Sequence, residues 1–213
     1  MVRKIAKGIF AAMAIVILPM AGNTLIFGYP QVWILIAIGM AGSILQPDYQ
    51  LSNDKTNARD RGTEAQIIWS VYVSQLLAVL EAGYLRYPAS MAWDAISLIA
   101  LAFMIGGLTV RTWAVYTLGQ YFTMQLKIHD EHRIIRTGPY KYLCHPSYSG
   151  AFLTYFGTTV FLHSWFSMII AGIILSFAFL RRMHFEEKML IDRFGDEYRD
   201  YCKSTKKVMP WLW

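Results

Sequence analysis

Ionisable and aromatic side chains concentrate in two short stretches of this chain, and both border hydrophobic runs. The first, Gln125 to Gly150, reads QLKIHDEHRIIRTGPYKYLCHPSYSG. The second, beyond the next apolar run, holds Arg181, Arg182, His184, Glu186 and Glu187. Charges at both edges of one membrane-length segment suit a reaction centre at a bilayer surface. Within the first stretch, His145-Pro146 marks a helix start, because proline at the first helical position gives up an N–H that has no helical partner there. The unpaired N–H groups and the positive dipole end at that junction suit a carboxylate or phosphate; the plainer alternative is a proline that only begins a helix. Arg136-Thr137-Gly138-Pro139-Tyr140-Lys141-Tyr142 contains a Gly-Pro turn, and its cations and rings suit either a ligand or an interfacial belt.

Three further constellations admit two readings each. Arg182 and Glu186 are either an ordinary i,i+4 ion pair at a helix exit or parts of a site, with Glu186 for a cationic or hydroxyl-bearing cofactor and Arg182 for an anionic substrate. Arg111 lies inside an apolar segment about two turns from Gly119, where it must snorkel or meet a cavity. Glu81, near the end of another apolar segment, is read as snorkelling to the interface. His129, His132, His145 and His184 form no HExxH or carboxylate–His ligand set, so no metal is expected.

These groups must be positioned by helices. The chain has 213 residues, 55% hydrophobic and 16% charged, where a soluble domain carries about 25% charged residues. The apolar residues fall in membrane-length blocks, and barrel-type alternation is absent, so the expected fold is an all-α, polytopic transmembrane helical bundle. The net charge of +6 matches positive-inside bias and anionic headgroups; membrane lipid, not nucleic acid, is the expected partner. Met1–Gly22 has the look of a signal peptide, but its apolar run continues past Pro19 to Phe27 without a small-residue cleavage site. It is read as the first span, Ile5–Phe27, followed by Pro30–Leu45, Ala65–Tyr84 and Trp93–Thr117.

The stretch Ser147–Phe179 is too long for one span. A single span would put the basic tail on the side opposite the other basic loops, so a helical hairpin is expected, Ser147–Leu162 and Phe166–Arg182, turning at His163–Trp165. That hairpin returns Glu186 to the neighbourhood of His145 on the cytoplasmic side, and Phe185–Lys207 continues as a polar helix that Gly195 weakens midway. Cys144 and Cys202 fall on the same reducing side, where no structural disulfide is expected. The whole is one membrane domain, 1–213, with 1–117 the N-terminal transmembrane helices and 118–213 a catalytic C-terminal subdomain.

In order and spacing, Gln125, His132-Arg133-Ile134-Ile135, Gly138-Pro139-Tyr140, His145-Pro146-Ser147-Tyr148-Ser149-Gly150, Arg182…Glu186-Glu187 and Phe194-Gly195-Asp196-Glu197-Tyr198…Tyr201 resemble the isoprenylcysteine carboxyl methyltransferase family. The resemblance covers roughly the last half of the chain. It implies methyl transfer from S-adenosylmethionine, leaving S-adenosylhomocysteine, to the carboxylate of a C-terminal prenylated cysteine or another lipid-like acceptor. By position it assigns Gln125, His132, Arg133, Ile134, Ile135, Tyr140, His145, Pro146, Ser147, Tyr148 and Glu186 to the cofactor, and Arg182 and Arg111 to the acceptor and reaction centre. One departure stands out: the family's usual arginine before His-Pro is Cys144 here, with Lys141 one turn earlier as a partial substitute.

A carboxylate acceptor needs no general base, so alignment and fixed charges would carry the implied reaction. Rival classes are a phospholipid or amine N-methyltransferase, with Glu187 or His184 as base, and a nicotinamide-dependent reductase using Arg133, Arg136 and Lys141 for phosphates. A non-enzymatic transporter would use Glu81 and Arg111 as pathway residues. Oligomeric state is left open by the sequence.

Overall fold

The computed structural model describes residues 1–46, 62–122 and 133–208. The helices are α1 (Val2–Ala12), α2 (Pro30–Leu45), α3 (Thr63–Leu80), α4 (Ala95–Leu118), α5 (Pro146–Phe161), α6 (Trp165–Phe194) and α7 (Asp196–Ser204). No strand occurs among the described residues; a single isolated bridge joins Leu143 to Lys206. Among the described residues, three helical segments are long and apolar enough to cross a membrane: Thr63–Leu85, Ala95–Tyr121 and Trp165–Phe194.

Expected and observed helices differ at two places. Ile5–Phe27 is not one span. α1 runs into a π-helical turn, Met13–Ile17, closed by Leu18 N–H to the Met13 carbonyl at 2.9 Å. Pro19 has no N–H to continue the ladder, and the chain turns before a 3₁₀ segment, Thr24–Gly28, leads into α2. The second difference is in the tail. The expected hairpin is present as α5 and α6, but α6 does not stop near Arg182; it continues unbroken to Phe194. Its 30 residues span about 45 Å, beyond a hydrocarbon core of about 30 Å, so the polar end of the helix projects from the membrane segment. Gly195, at φ 58°, ends α6 and sets α7 off as a separate helix.

The frame is tightest where α4 crosses α5. A Cβ on Gly107 would lie 2.7 Å from the Gly150 carbonyl oxygen, and one on Gly150 would lie 2.5 Å from the Gly107 carbonyl oxygen and 2.6 Å from the Arg111 nitrogen. The two backbones therefore touch, as small residues allow in lipid, where helix association relies on close packing and polar contacts. Thr154 adds to this seam through its hydroxyl, which donates across to the Met104 carbonyl of α4 at 3.4 Å and within α5 to the Gly150 carbonyl at 2.9 Å.

The opposite end of the bundle is closed by polar groups. Glu81 does not snorkel. It is 3% exposed, and its carboxylate accepts from the backbone N–H groups of Phe166 and Ser167 at 3.1 and 2.7 Å. It caps the orphan donors of the α6 N-terminus from the end of α3, a charge-assisted arrangement that also suits the helix dipole. Asp94 caps α4 in a reciprocal box with Ser97 and accepts from or pairs with His163 Nε2 at 3.1 Å. His163 sits at the hairpin turn with φ 50°.

Substituting Gly150→Ala forces a methyl group onto backbone atoms that cannot move aside. We expect a loss of about 1–3 kcal/mol, the usual cost of overpacking, and a lowered thermal midpoint in detergent. Gly39→Ala, whose Cβ would meet nothing within 4 Å, is the control and leaves the midpoint unchanged or raises it. Equal midpoints for the two variants would contradict the crossing.

Candidate active site

One cavity gathers the chemistry-bearing residues of α3, α4, α5, α6, α7 and the 133–145 segment. Its space, open mouth included, is about 1180 Å³. Each wall follows from the fold. Pro146 starts α5 as expected, so His145 and Ser147 stand at the helix entrance. The Gly107–Gly150 crossing places Arg111 against that entrance, where its Nη1 donates to both the carbonyl and hydroxyl oxygens of Ser147 at 3.2 Å. Arg111 is 8% exposed; it lines the cavity and does not snorkel.

α6 supplies the second side. Arg182 and Glu186 lie one turn apart and both line the cavity. The Tyr148 hydroxyl donates to Glu186 Oε2 at 2.7 Å. Arg182 is 3% exposed; its Nη1 donates to Thr63 Oγ1 at 2.9 Å, and its Nε reaches the Tyr148 hydroxyl at 3.4 Å. Tyr148 thus bridges the basic and acidic groups of one helix. Behind it, His145 Nε2 is 3.0 Å from Glu187 Oε1, while Lys207 Nζ donates to the other oxygen of Glu187 at 3.1 Å.

The third side is aromatic. Tyr140, Tyr198 and Tyr201 line the cavity. Tyr201 donates its hydroxyl to the carbonyls of Tyr140 and Leu143, at 2.9 and 3.2 Å. Arg136 pairs with Glu197 at 3.3 Å and lies over the Tyr201 ring, which fastens α7 to the 133–145 segment. Burial pushes all three phenols above their ordinary range, and the charge of Glu186 adds to the shift of Tyr140. They are neutral rings with protonated hydroxyls at physiological pH. A carboxylate together with several aromatic faces attracts a cation, and the two buried guanidinium groups attract an anion.

Arg111, Arg133, Ile134, Ile135, Tyr140, His145, Ser147, Tyr148, Arg182 and Glu186 all line this cavity. Pro146 does not line it but begins the helix that carries its neighbours. Gln125 and His132 lie outside the described residues. Lys141 does not stand in for the missing arginine; it is exposed, with its ammonium over the Tyr142 ring. Cys144 itself lines the cavity. Among the described residues no group of His, Cys, Asp and Glu is arranged to hold a metal.

Sequence reasoning missed the α3 wall. Glu64, Ile67 and Ile68 line the cavity, and Thr63 is the anchor of Arg182. Their only signal is a Thr-Glu pair opening an apolar helix, which reads as an ordinary helix start. Leu118, Tyr121 and Phe122, at the end of α4, were likewise missed.

Known proteins resemble this chain in sequence and in fold. The Isoprenylcysteine carboxyl methyltransferase (ICMT) family profile matches residues 84–192. A probable protein-S-isoprenylcysteine O-methyltransferase of Oryza sativa subsp. indica is 32% identical over 130 residues, which is 60% of this chain and 68% of the rice protein. The protein-S-isoprenylcysteine O-methyltransferase of Schizosaccharomyces pombe is 30% identical over 131 residues, 59% of this chain and 56% of the yeast protein. The solved structure of a eukaryotic intramembrane Ras methyltransferase, ICMT, superposes with a TM-score of 0.64 at 24% identity, covering 98% of this chain and 73% of that one. This last likeness is one of fold. Together with the membrane-length helices it describes an integral membrane protein, and by its family match and its rice relative the chain belongs to the isoprenylcysteine carboxyl methyltransferase family.

Proposed function

We propose that this protein methylates the carboxylate of a C-terminal prenylated cysteine, with S-adenosylmethionine as donor, at the cytoplasmic surface of the membrane. The observation that carries this reading is one cavity holding a carboxylate–tyrosine pair, Glu186 and Tyr148, together with two buried arginines, Arg111 and Arg182. Membership of a carboxyl methyltransferase family supports the reaction type. The basic loops and tail support the cytoplasmic side.

The residues present suit the donor. S-adenosylmethionine supplies a sulfonium-activated methyl group when bound. Glu186 and the rings of Tyr140, Tyr148, Tyr198 and Tyr201 would hold its positive charges, and His145, Ser147 and the 133–135 segment would complete its enclosure. Pro146 would set their position by fixing the α5 start, and Gln125 and His132 retain the roles that the resemblance implies. Arg182 and Arg111 would orient the acceptor carboxylate. Both guanidinium groups are anchored, by Thr63 and by Ser147, so little rearrangement is needed when charge shifts in the transition state. The carboxylate is already nucleophilic, and alignment does the rest.

The rival classes find less support. An amine acceptor would need a base, but His184 is exposed outside the cavity, and Glu187 is engaged by His145 and Lys207. Of the cations a reductase would use for phosphates, Arg136 pairs with Glu197 and Lys141 lies on Tyr142. Glu81, the pathway residue of a transporter, caps α6. We read the chain as a single membrane domain whose chemistry centres on 118–213, with α3 and α4 completing its walls.

Three outcomes test this reading. With tritiated methyl donor, label should pass to a short S-farnesylated cysteine bearing a free carboxylate, as a base-labile methyl ester, and not to its amide or to phosphatidylethanolamine. Label in the phospholipid would overturn the acceptor. Arg182→Ala should lower kcat/KM for the acceptor by about 10²–10³-fold, the scale of a lost oxyanion donor, with donor affinity changed little; normal turnover would remove Arg182 from the acceptor. Glu186→Gln should weaken S-adenosylhomocysteine binding about tenfold, or about 1.4 kcal/mol, as read by thermal-shift titration. Unchanged affinity would place the cation elsewhere.

A further inference from the structure

Glu186 and Glu187 are adjacent on α6 but face different ways, as neighbours on a helix do. Glu186 lines the cavity and accepts from Tyr148; Glu187 does not line it. The Glu187 side chain, 18% exposed, instead meets two groups distant in sequence. His145 Nε2 lies 3.0 Å from its Oε1, and Lys207 Nζ donates to its Oε2 at 3.1 Å. The His145 side chain is 3% exposed and lines the cavity.

The backbone of His145 is held as firmly as its ring. His145 N–H donates to the Lys207 carbonyl at 3.0 Å, and Cys144 N–H to the Lys206 carbonyl at 2.7 Å. Lys206 N–H returns a bond to the Tyr142 carbonyl at 3.1 Å. The His145 carbonyl accepts from the N–H groups of Tyr148 and Ser149 at 3.1 and 3.2 Å. Residues 205–208 thus form a strap along the entrance of α5. Lys207 grips both the backbone of His145 and the carboxylate that holds its ring.

We propose that Glu187 is a positioning residue: held by Lys207, its carboxylate fixes the His145 ring with the proton on Nε2 and leaves Nδ1 as an acceptor for the ammonium group of the bound cofactor. The ring assignment stands on the contacts above; the ammonium contact rests on S-adenosylmethionine being the cofactor.

The argument from chemistry is one of donors and acceptors. An ionised carboxylate only accepts hydrogen bonds, and a neutral imidazole carries one N–H and one lone pair. Contact with Glu187 therefore puts the proton on Nε2 and the lone pair on Nδ1. The Lys207 ammonium already balances the Glu187 charge, so the ring has to donate one N–H and not to bring a second cation into a buried place. Nδ1 is then the ring nitrogen left for a ligand in the cavity. A lone pair there repels a carboxylate and attracts an N–H, most strongly a charged one. The Tyr148 ring lies beside the imidazole, 5.8 Å between centroids, and the Tyr148 hydroxyl leads to Glu186. An ammonium group bound here would meet a carboxylate, an aromatic face and an imidazole lone pair. Without Glu187 the proton can sit on either ring nitrogen, and on Nδ1 it would oppose one donor to another.

Two measurements on the full chain in lipid nanodiscs test this. The first is the nitrogen-15 resonance of histidine-labelled protein in neutral buffer, with His145→Gln identifying the signal among the five histidines. We expect the His145 proton on Nε2 in the wild type and a mixture of both tautomers in Glu187→Met, which keeps the length of the side chain without its oxygens. A proton on Nδ1 in the wild type, or an unchanged ring in Glu187→Met, would overturn the role of Glu187. The second compares S-adenosylhomocysteine with its desamino analogue by thermal-shift titration. Glu187→Met should bind S-adenosylhomocysteine about tenfold more weakly than the wild type, the scale of one hydrogen bond to a charged group, and bind the desamino analogue as the wild type does. Equal loss for both ligands would reduce Glu187 to a structural tie, and no loss for either would remove it from the site. Should Glu187→Met not fold, the wild-type resonance decides. If the wild type binds neither ligand, the cofactor assignment fails on its own, and the tautomer of ligand-free His145 still decides the positioning.

Discussion

Contact between the backbones of α4 and α5 at Gly107 and Gly150 is the constraint on which the rest of the site depends. In lipid there is little hydrophobic drive to press helices together, so close approach must be built from small residues and polar contacts. Removing both Cβ atoms lets the Gly107 and Gly150 carbonyls approach the partner helix directly. Arg111, one turn beyond Gly107, is thereby held against the Ser147 turn of α5. A bulkier crossing would separate an arginine in an apolar helix from the oxygens that make its burial tolerable.

The second requirement is that the chain return after α5. A sharp turn at His163 and the Glu81 cap on α6 start the returning helix. Because α6 then runs unbroken past the membrane-length segment, Arg182 and Glu186 arrive on one face of a single rigid element. Tyr148 from α5 joins them. The result is a site with anionic and aromatic groups near cationic ones, held by helices and not by loops. α7 closes it through Tyr201, which bonds to the carbonyls of Tyr140 and Leu143. A water-soluble cation and a lipid-borne carboxylate can meet there at the surface of the bilayer.

Much of this was legible in the residues because it rests on strong local signals. Pro146 fixes the start of α5, and charge bias requires a hairpin after Ser147; the structure has both. Placing Glu186 near His145 followed from that hairpin alone. What was not legible depends on partners distant in sequence. Glu81 reads as an interfacial carboxylate because nothing local shows that two N–H groups of α6 will reach it. Thr63 and Glu64 read as a helix start, although the same residues face the cavity from α3. The end of α6 was misplaced because Arg181 and Arg182 look like a membrane exit, whereas a helix continues through polar residues until something such as Gly195 stops it. The first span was overextended because a single proline barely lowers the hydropathy of a long apolar run, and hydropathy does not register its missing N–H.

The carboxylate, tyrosines and arginines of this cavity suit a sulfonium-derived cofactor rather than a dinucleotide. Calorimetric titration of folded protein in nanodiscs with S-adenosylhomocysteine, and separately with NADPH, tests it directly. We expect saturable heat at one site for S-adenosylhomocysteine and none for NADPH. Saturable heat from NADPH alone would contradict it and turn the carboxylate–tyrosine–arginine cavity over to a different chemistry.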